Sequence, residues 1–117
     1  MKKLSEIDRF KLQTTKEYLS RYLPAEENCR SLEGIDTAYA RQQRTRSQAM
    51  MRDVERIIAL LDVSRGKTLI EKRFILGLSW RKINKDMDLS RDSCYKLYRE
   101  AMVELYNHAV EVGMIGS

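Results

Sequence analysis

"LSWRKINKDMDLSRDSCYKLYRE", Leu78 to Glu100, is the stretch on which the fold turns. Its helical pattern of apolar residues is interrupted by the short polar stretch Asp88-Leu89-Ser90 and then resumes. Ser79 stands where the first backbone N–H groups of a helix need a side-chain acceptor, which predicts a short helix from Trp80 to about Met87. Ser90 repeats the arrangement and predicts a longer helix from Arg91 to about His108. Two capped helices joined by so short a link fit a helix-turn-helix, in which the pair crosses steeply and the second helix enters a DNA groove. The crossing needs apolar side chains at fixed places. Ile83 and Met87 supply them from the first helix, Leu89 from the turn, and Cys94 and Leu97 from the second helix, cysteine behaving as a small hydrophobe when buried.

The positions that the second helix turns away from that core test the reading. They hold Ser90, Arg91, Asp92, Tyr95, Lys96 and Arg99, polar or amphipathic throughout. Arginine pairs bidentately with guanine, and serine, tyrosine and lysine bond phosphates or bases. Asp92 has two readings: it accepts from cytosine, or it pairs with Lys96 one turn on and holds that side chain in place. By spacing alone the helix pair is equally a plain corner of a bundle. The two capping serines, the polar outer face and a local excess of base together favour DNA.

That excess is uneven along the chain. The 117 residues carry a net charge of +5, with a pI near 9.3, which suits a polyanionic partner such as DNA or RNA. Between Arg65 and Arg99 the bases Arg65, Lys67, Lys72, Arg73, Arg81, Lys82, Lys85, Arg91, Lys96 and Arg99 face only Glu71, Asp86, Asp88 and Asp92. The composition, 43% hydrophobic and 33% charged, is that of a globular domain of ordinary size. No apolar run approaches the roughly 20 residues of a membrane span, and the opening MKKLSEIDRF places acids where a signal peptide needs an apolar segment. A cytoplasmic protein with no membrane partner is expected.

Upstream, Leu4, Ile7, Phe10, Tyr18 and Tyr22 share one broad helical face, with Leu12, Leu19 and Leu23 widening it. A helix from Leu4 to Leu23 is predicted, capped by Ser5 and ended by Pro24. The polar stretch Ala25 to Asp36 reads as a loop. A second helix is predicted from Asp36-Thr37 to about Val63, with Met50, Val54, Ile57 and Leu61 at alternating steps of four and three. That seam packs on the first helix in an antiparallel pair or joins two protomers. Its arginines, Arg41, Arg44, Arg46, Arg52 and Arg56, read first as a solvated face and second as phosphate contacts. Ser64-Arg65-Gly66 punctuates the chain. A third helix is predicted from Lys67 to Leu76 with Gly77 as its C-terminal cap. The expected fold is all-α: an N-terminal helical hairpin over residues 1–63, able to dimerise, then a helix-turn-helix region over residues 64–117.

From Leu69 to Leu105, "FILGLSWRKI", "LSRDSCYKLYREAMVEL" and a core-facing Ala101 resemble the promoter-reading domain at the C-terminus of bacterial sigma factors. The chain length, the N-terminal helices and the "GLSWRKI…LS" core are similar to small phage and prophage regulators of the ArpU/RinA type. The resemblance implies that Arg91, Asp92, Ser93, Tyr95, Lys96 and Arg99 belong to the recognition helix and that Ser79, Arg81 and Lys82 lie near the phosphate backbone. It also implies a contact with RNA polymerase. Two positions depart from the pattern. Asn84 stands where a close helix approach usually takes alanine, which implies a wider crossing or a side chain bonded across the turn. Asp88 stands at the turn position usually given to glycine, and aspartate tolerates a left-handed backbone better than most residues.

Catalysis has no signature here: there is no glycine-rich phosphate loop, metal-ligand spacing, or nucleophile beside a base. Cys94 and His108 lie fourteen positions apart, roughly 21 Å along a helix, and cannot meet. Cys29 and Cys94 read as thiols, Cys94 and Tyr98 as core, Trp80 as packed under the third helix, and "VEVGMIGS" as a frayed end or a small docking segment. The expectation is therefore a non-enzymatic, cofactor-free regulator that binds double-stranded DNA. The rivals are a DNA-packaging recognition subunit, which shares the motif but assembles as a ring, and a module that docks on polymerase or a host protein.

Overall fold

The computed structural model describes residues 5–115, and every regular element in that span is helical. In chain order these are α1 (Glu6–Leu19), α2 (Tyr22–Ser31), α3 (Ala38–Ile58), α4 (Arg65–Ile70) continued by a π-helical stretch (Glu71–Ile75), α5 (Trp80–Asp86) and α6 (Arg91–Glu111). Five of the six α-helices begin alike. Ser5, Thr37, Ser64, Ser79 and Ser90 each have extended backbone, and each side-chain oxygen accepts from the N–H three residues on. Each cap satisfies one of the four donors that a helix start leaves without a partner, worth about 1 kcal/mol.

Pro24 does not end the first helix; it lies inside a second one. The chain breaks at Ser20-Arg21, and Pro24 falls in the first turn of α2, where a missing N–H costs little because first-turn donors have no intrahelical acceptor. The predicted loop from Ala25 is consequently helical as far as Ser31. Its inward face is Tyr22, Ala25, Cys29 and Leu32, a step of three, four and three, and it packs along α3. The helical hairpin of the N-terminal half is thus α2 with α3, while α1 leaves the pair and lies on α6.

The face of α1 also differs from the expected one. Thr15 and Leu19 are buried and Leu12 packs at the edge of the core, whereas Ile7 and Phe10 are mostly exposed; Leu4 lies outside the described residues. Position on the helix wheel left two overlapping faces open, and the tertiary partner chose between them. Phe10 meets the Tyr106 ring edge-on at 6.2 Å, and Lys11 donates to Asn107 Oδ1, so the first half of α1 is anchored towards the C-terminal end of α6. In α3, Val54 and Ile57 are buried, as is Leu61 just beyond its end, while Met50 sits at the seam's exposed edge. The helix stops at Ile58, short of the expected Val63, which is almost wholly in solvent.

Gly66 is not punctuation but part of the first turn of α4. A Cβ built there would meet the Ala101 Cβ at 3.0 Å, so α4 and α6 touch with almost nothing between them. The third helix then widens: Leu76 N–H donates to Glu71 O, one residue further back than an α-helical bond reaches. Gly77 closes it at φ 68°, with Leu23 of α2 lying over its open face. As far as Ile115, the last described residue, the C-terminal stretch is not frayed. Gly113 takes φ 77°, Met114 N–H returns to Ala109 O, and Ile115 is buried. One hydrophobic cluster joins Leu19, Val54, Ile57, Leu69, Ile83 and Leu105, drawing on every helix region of the chain.

Candidate nucleic-acid interface

The corner between α5 and α6 is built from backbone outward. Leu89 N–H donates to Asn84 O and Asp88 N–H to Lys85 O, the paired bonds that close a helix through one left-handed residue. That residue is Asp88, at φ 53°. Such a conformation disfavours most L side chains, and aspartate is among those that bear it best. Two residues later Ser90 caps α6 by accepting from Ser93 N–H. The linker is therefore only as long as one helix end and one helix start require.

Below the turn the five apolar positions converge. Ile83 and Cys94 are buried, and Met87, Leu89 and Leu97 pack against the same cluster. Trp80 lies edge-on to Tyr98 with ring centroids 4.9 Å apart, and the Arg73 guanidinium covers its other side at 4.7 Å while donating to Leu78 O. Trp80 thus seals α5 against the π-helical stretch and α6. Burial pushes the Tyr98 hydroxyl up to about 12, Arg73 opposing the shift, and burial also raises the Cys94 thiol. Both cysteines are free thiols.

The basic residues of this region divide into two sets. Arg65 donates to Met87 O at 2.6 Å and ties the start of α4 to the turn. Lys82 and Lys72 approach Asp86 at 3.2 and 3.9 Å. Those cations, with Arg73, hold the corner together. Arg81, Lys85, Arg91 and Lys96 make no ion pair among the described residues. Sequence pattern could sort only part of them: Lys82 and Asp86 are one turn apart within α5, whereas Arg65 with Met87 and Lys72 with Asp86 are joined only by the fold.

The expected site residues gather around the corner. Ser79 and Ser90 are exposed, but their hydroxyls serve as helix caps. Arg81 and Lys82 are exposed on the first turn of α5. Arg91, Asp92, Ser93 and Lys96 are exposed on the first two turns of α6, and Tyr95 beside them is 41% exposed. Arg99 is half-buried one turn further on, with its guanidinium 5.8 Å from the centre of the Tyr95 ring. No ion pair joins Asp92 to Lys96 among the described residues. Asp92 instead lies in the first turn, where the helix dipole favours a negative charge. The exposed members thus lie on the first turn of α5 and the first two turns of α6, the two helices that the linker joins.

The Asn84 Oδ1 is buried and bonds to nothing, so no bond crosses the turn from that atom. Beside it a groove of about 960 Å³ opens between the first turns of α6 and the junction of α1 with α2. No local pattern of residues signals this groove, which depends on α1 lying along α6.

No family model, no curated protein and no solved structure matches the chain. No helix among the described residues is long and apolar enough to cross a membrane, and no cluster of histidine, cysteine and acidic side chains among them is arranged to hold a metal ion.

Proposed function

We propose that the chain is a sequence-specific DNA-binding transcription regulator of the phage or prophage type, acting in the cytoplasm and reading the major groove with the first turns of α6. One observation carries the reading. Alternate faces of the same two turns diverge completely, Arg91, Asp92, Ser93 and Lys96 to solvent and Cys94, Leu97 and Tyr98 to the core. A helix with side chains is about 10–12 Å across and a B-form major groove about 12 Å wide, so an exposed end of this kind fits between the strands. Arg81 and Lys82, at the start of the crossing helix, are suited to the flanking phosphates.

The resemblance to sigma-type domains adds a contact with RNA polymerase. The exposed Tyr39 and Met50 on α3 support a homodimer through the N-terminal helices. A dimer would ask for half-sites about one helical turn apart, on the order of 34–36 Å. The test is a titration of the full chain with genomic duplex fragments, followed by Arg91→Ala and Lys96→Ala on the best site. Loss of about 1–3 kcal/mol restricted to that site identifies a base-reading side chain. An even loss across all sequences with a flatter salt dependence identifies a phosphate contact. Unchanged affinity in both variants overturns the assignment of α6.

A further inference from the structure

The groove beside Asn84 has a wall that protein–DNA contact does not explain. Its floor is apolar and aromatic, formed by Leu12 and Leu23 from the N-terminal helices and by Phe74, Trp80 and Tyr98 from the corner. Its charged side chains are three cations, Lys16, Arg73 and Arg91, against one carboxylate, Asp92. Neither Lys16 nor Arg91 has an ion-pair partner among the described residues. Asn84 also contributes to the lining, although its Oδ1 is buried away from the open space.

We infer that this groove binds a small aromatic organic acid. The volume, about 960 Å³, is at the upper end of the roughly 300–1,000 Å³ range of small-molecule sites, mostly apolar with a few placed polar groups. It is therefore a small molecule, rather than a partner helix, that the space suits. An aromatic body fits the Trp80, Tyr98 and Phe74 rings. The acid answers the surplus of cations. The site stands whether or not the chain binds DNA.

Two related probes separate the parts: naphthoate, and naphthol without the acid. Calorimetric titration of the full chain is expected to rank naphthoate first and naphthol about tenfold weaker for the lost charge pairing. Lys16→Gln, at an exposed position on α1, should narrow that gap and leave naphthol affinity nearly unchanged. Absence of saturable heat with naphthoate overturns the site. Equal affinity for the two probes, or a gap indifferent to Lys16→Gln, overturns the assigned ligand class.

Discussion

The α5–α6 corner and the α2–α3 hairpin each turn the chain through a tight reversal, but they hold it by different means. At the corner the linking bonds are backbone to backbone, with Asp88 in the left-handed region and Leu89 closing the end of α5 over a buried Ile83. In the hairpin, backbone bonds from Leu32, Glu33 and Ile35 close the end of α2, and long or polar side chains make the ties to α3. Arg44 donates to both Leu32 O and Ile35 O, Asn28 to Ser47, and Tyr22 to Glu55, an interaction that with burial raises the Tyr22 hydroxyl. The side chains that brace the corner are those of Arg65, Lys72 and Lys82, none of them on α6, which leaves Arg91 and Lys96 for other uses. In the hairpin Arg44 is already committed to two carbonyls.

That contrast can be broken at several points. The largest effect is expected at the buried side chain under the corner: Ile83→Ala should cost about 3 kcal/mol in urea-induced unfolding, transfer and cavity terms together. If the loss is below about 1 kcal/mol, the corner is not anchored from beneath and the packing account fails.

A pH scan comes next. The Tyr98 hydroxyl is raised to about 12 in the folded chain against an ordinary 10.0, so the neutral form is the one the fold favours. Its contribution is complete below pH 10 and is lost as pH rises towards 12, a change on the order of 2–3 kcal/mol at 1.36 kcal/mol per pH unit. Tyr98→Phe should flatten that part of the alkaline stability curve; an unchanged slope would mean that another group titrates there.

In the hairpin, Arg44→Ala should cost about 1–2 kcal/mol, because two carbonyls lose one charged donor. Hydrogen exchange is the better measurement, since amides from Leu32 to Ala40 should lose protection while those of α6 keep theirs. Loss of protection across the whole chain would show that the hairpin and the corner unfold as one. The smallest effect is a gain: Asp88→Gly relieves the left-handed strain but adds freedom to the unfolded chain, leaving a net stabilisation of about 0.5 kcal/mol. A drop in Tm instead would indicate that the aspartate side chain itself supports the turn.

The same contrast governs what was legible in the sequence. Caps, the left-handed turn and the five apolar positions of the corner act within a few residues of one another, and Ser79, Asp88 and Ser90 disclose them without any knowledge of the fold. The start of α2 was not legible because Pro24 is compatible with either ending a helix or opening one, and most residues between Pro24 and Asp36 are polar. The spacing of Tyr22, Ala25, Cys29 and Leu32 was the available signal, obscured by the small and polar members of that set. For α1, two faces overlapped, and only the presence of α6 selects Leu12, Thr15 and Leu19 over Ile7 and Phe10. At the interface, the outward residues of α6 followed from the cap and the helical period. The roles of Arg65 and Arg73 did not, because each is defined by a carbonyl that the tertiary fold supplies.

Gly66 against Ala101 bears on how the tip of α6 behaves mechanically. With backbones this near and no long side chain as a cushion, α4 and the middle of α6 form a stiff double strut, and Cys94, Leu97 and Tyr98 pin the preceding turns to the core, leaving the first turn, Arg91 to Ser93, as the exposed tip. The ordering of that tip is then settled when the chain folds. A surface that docks on it meets a probe of fixed shape and loses little motional freedom in doing so, which favours discrimination by fit over adaptation.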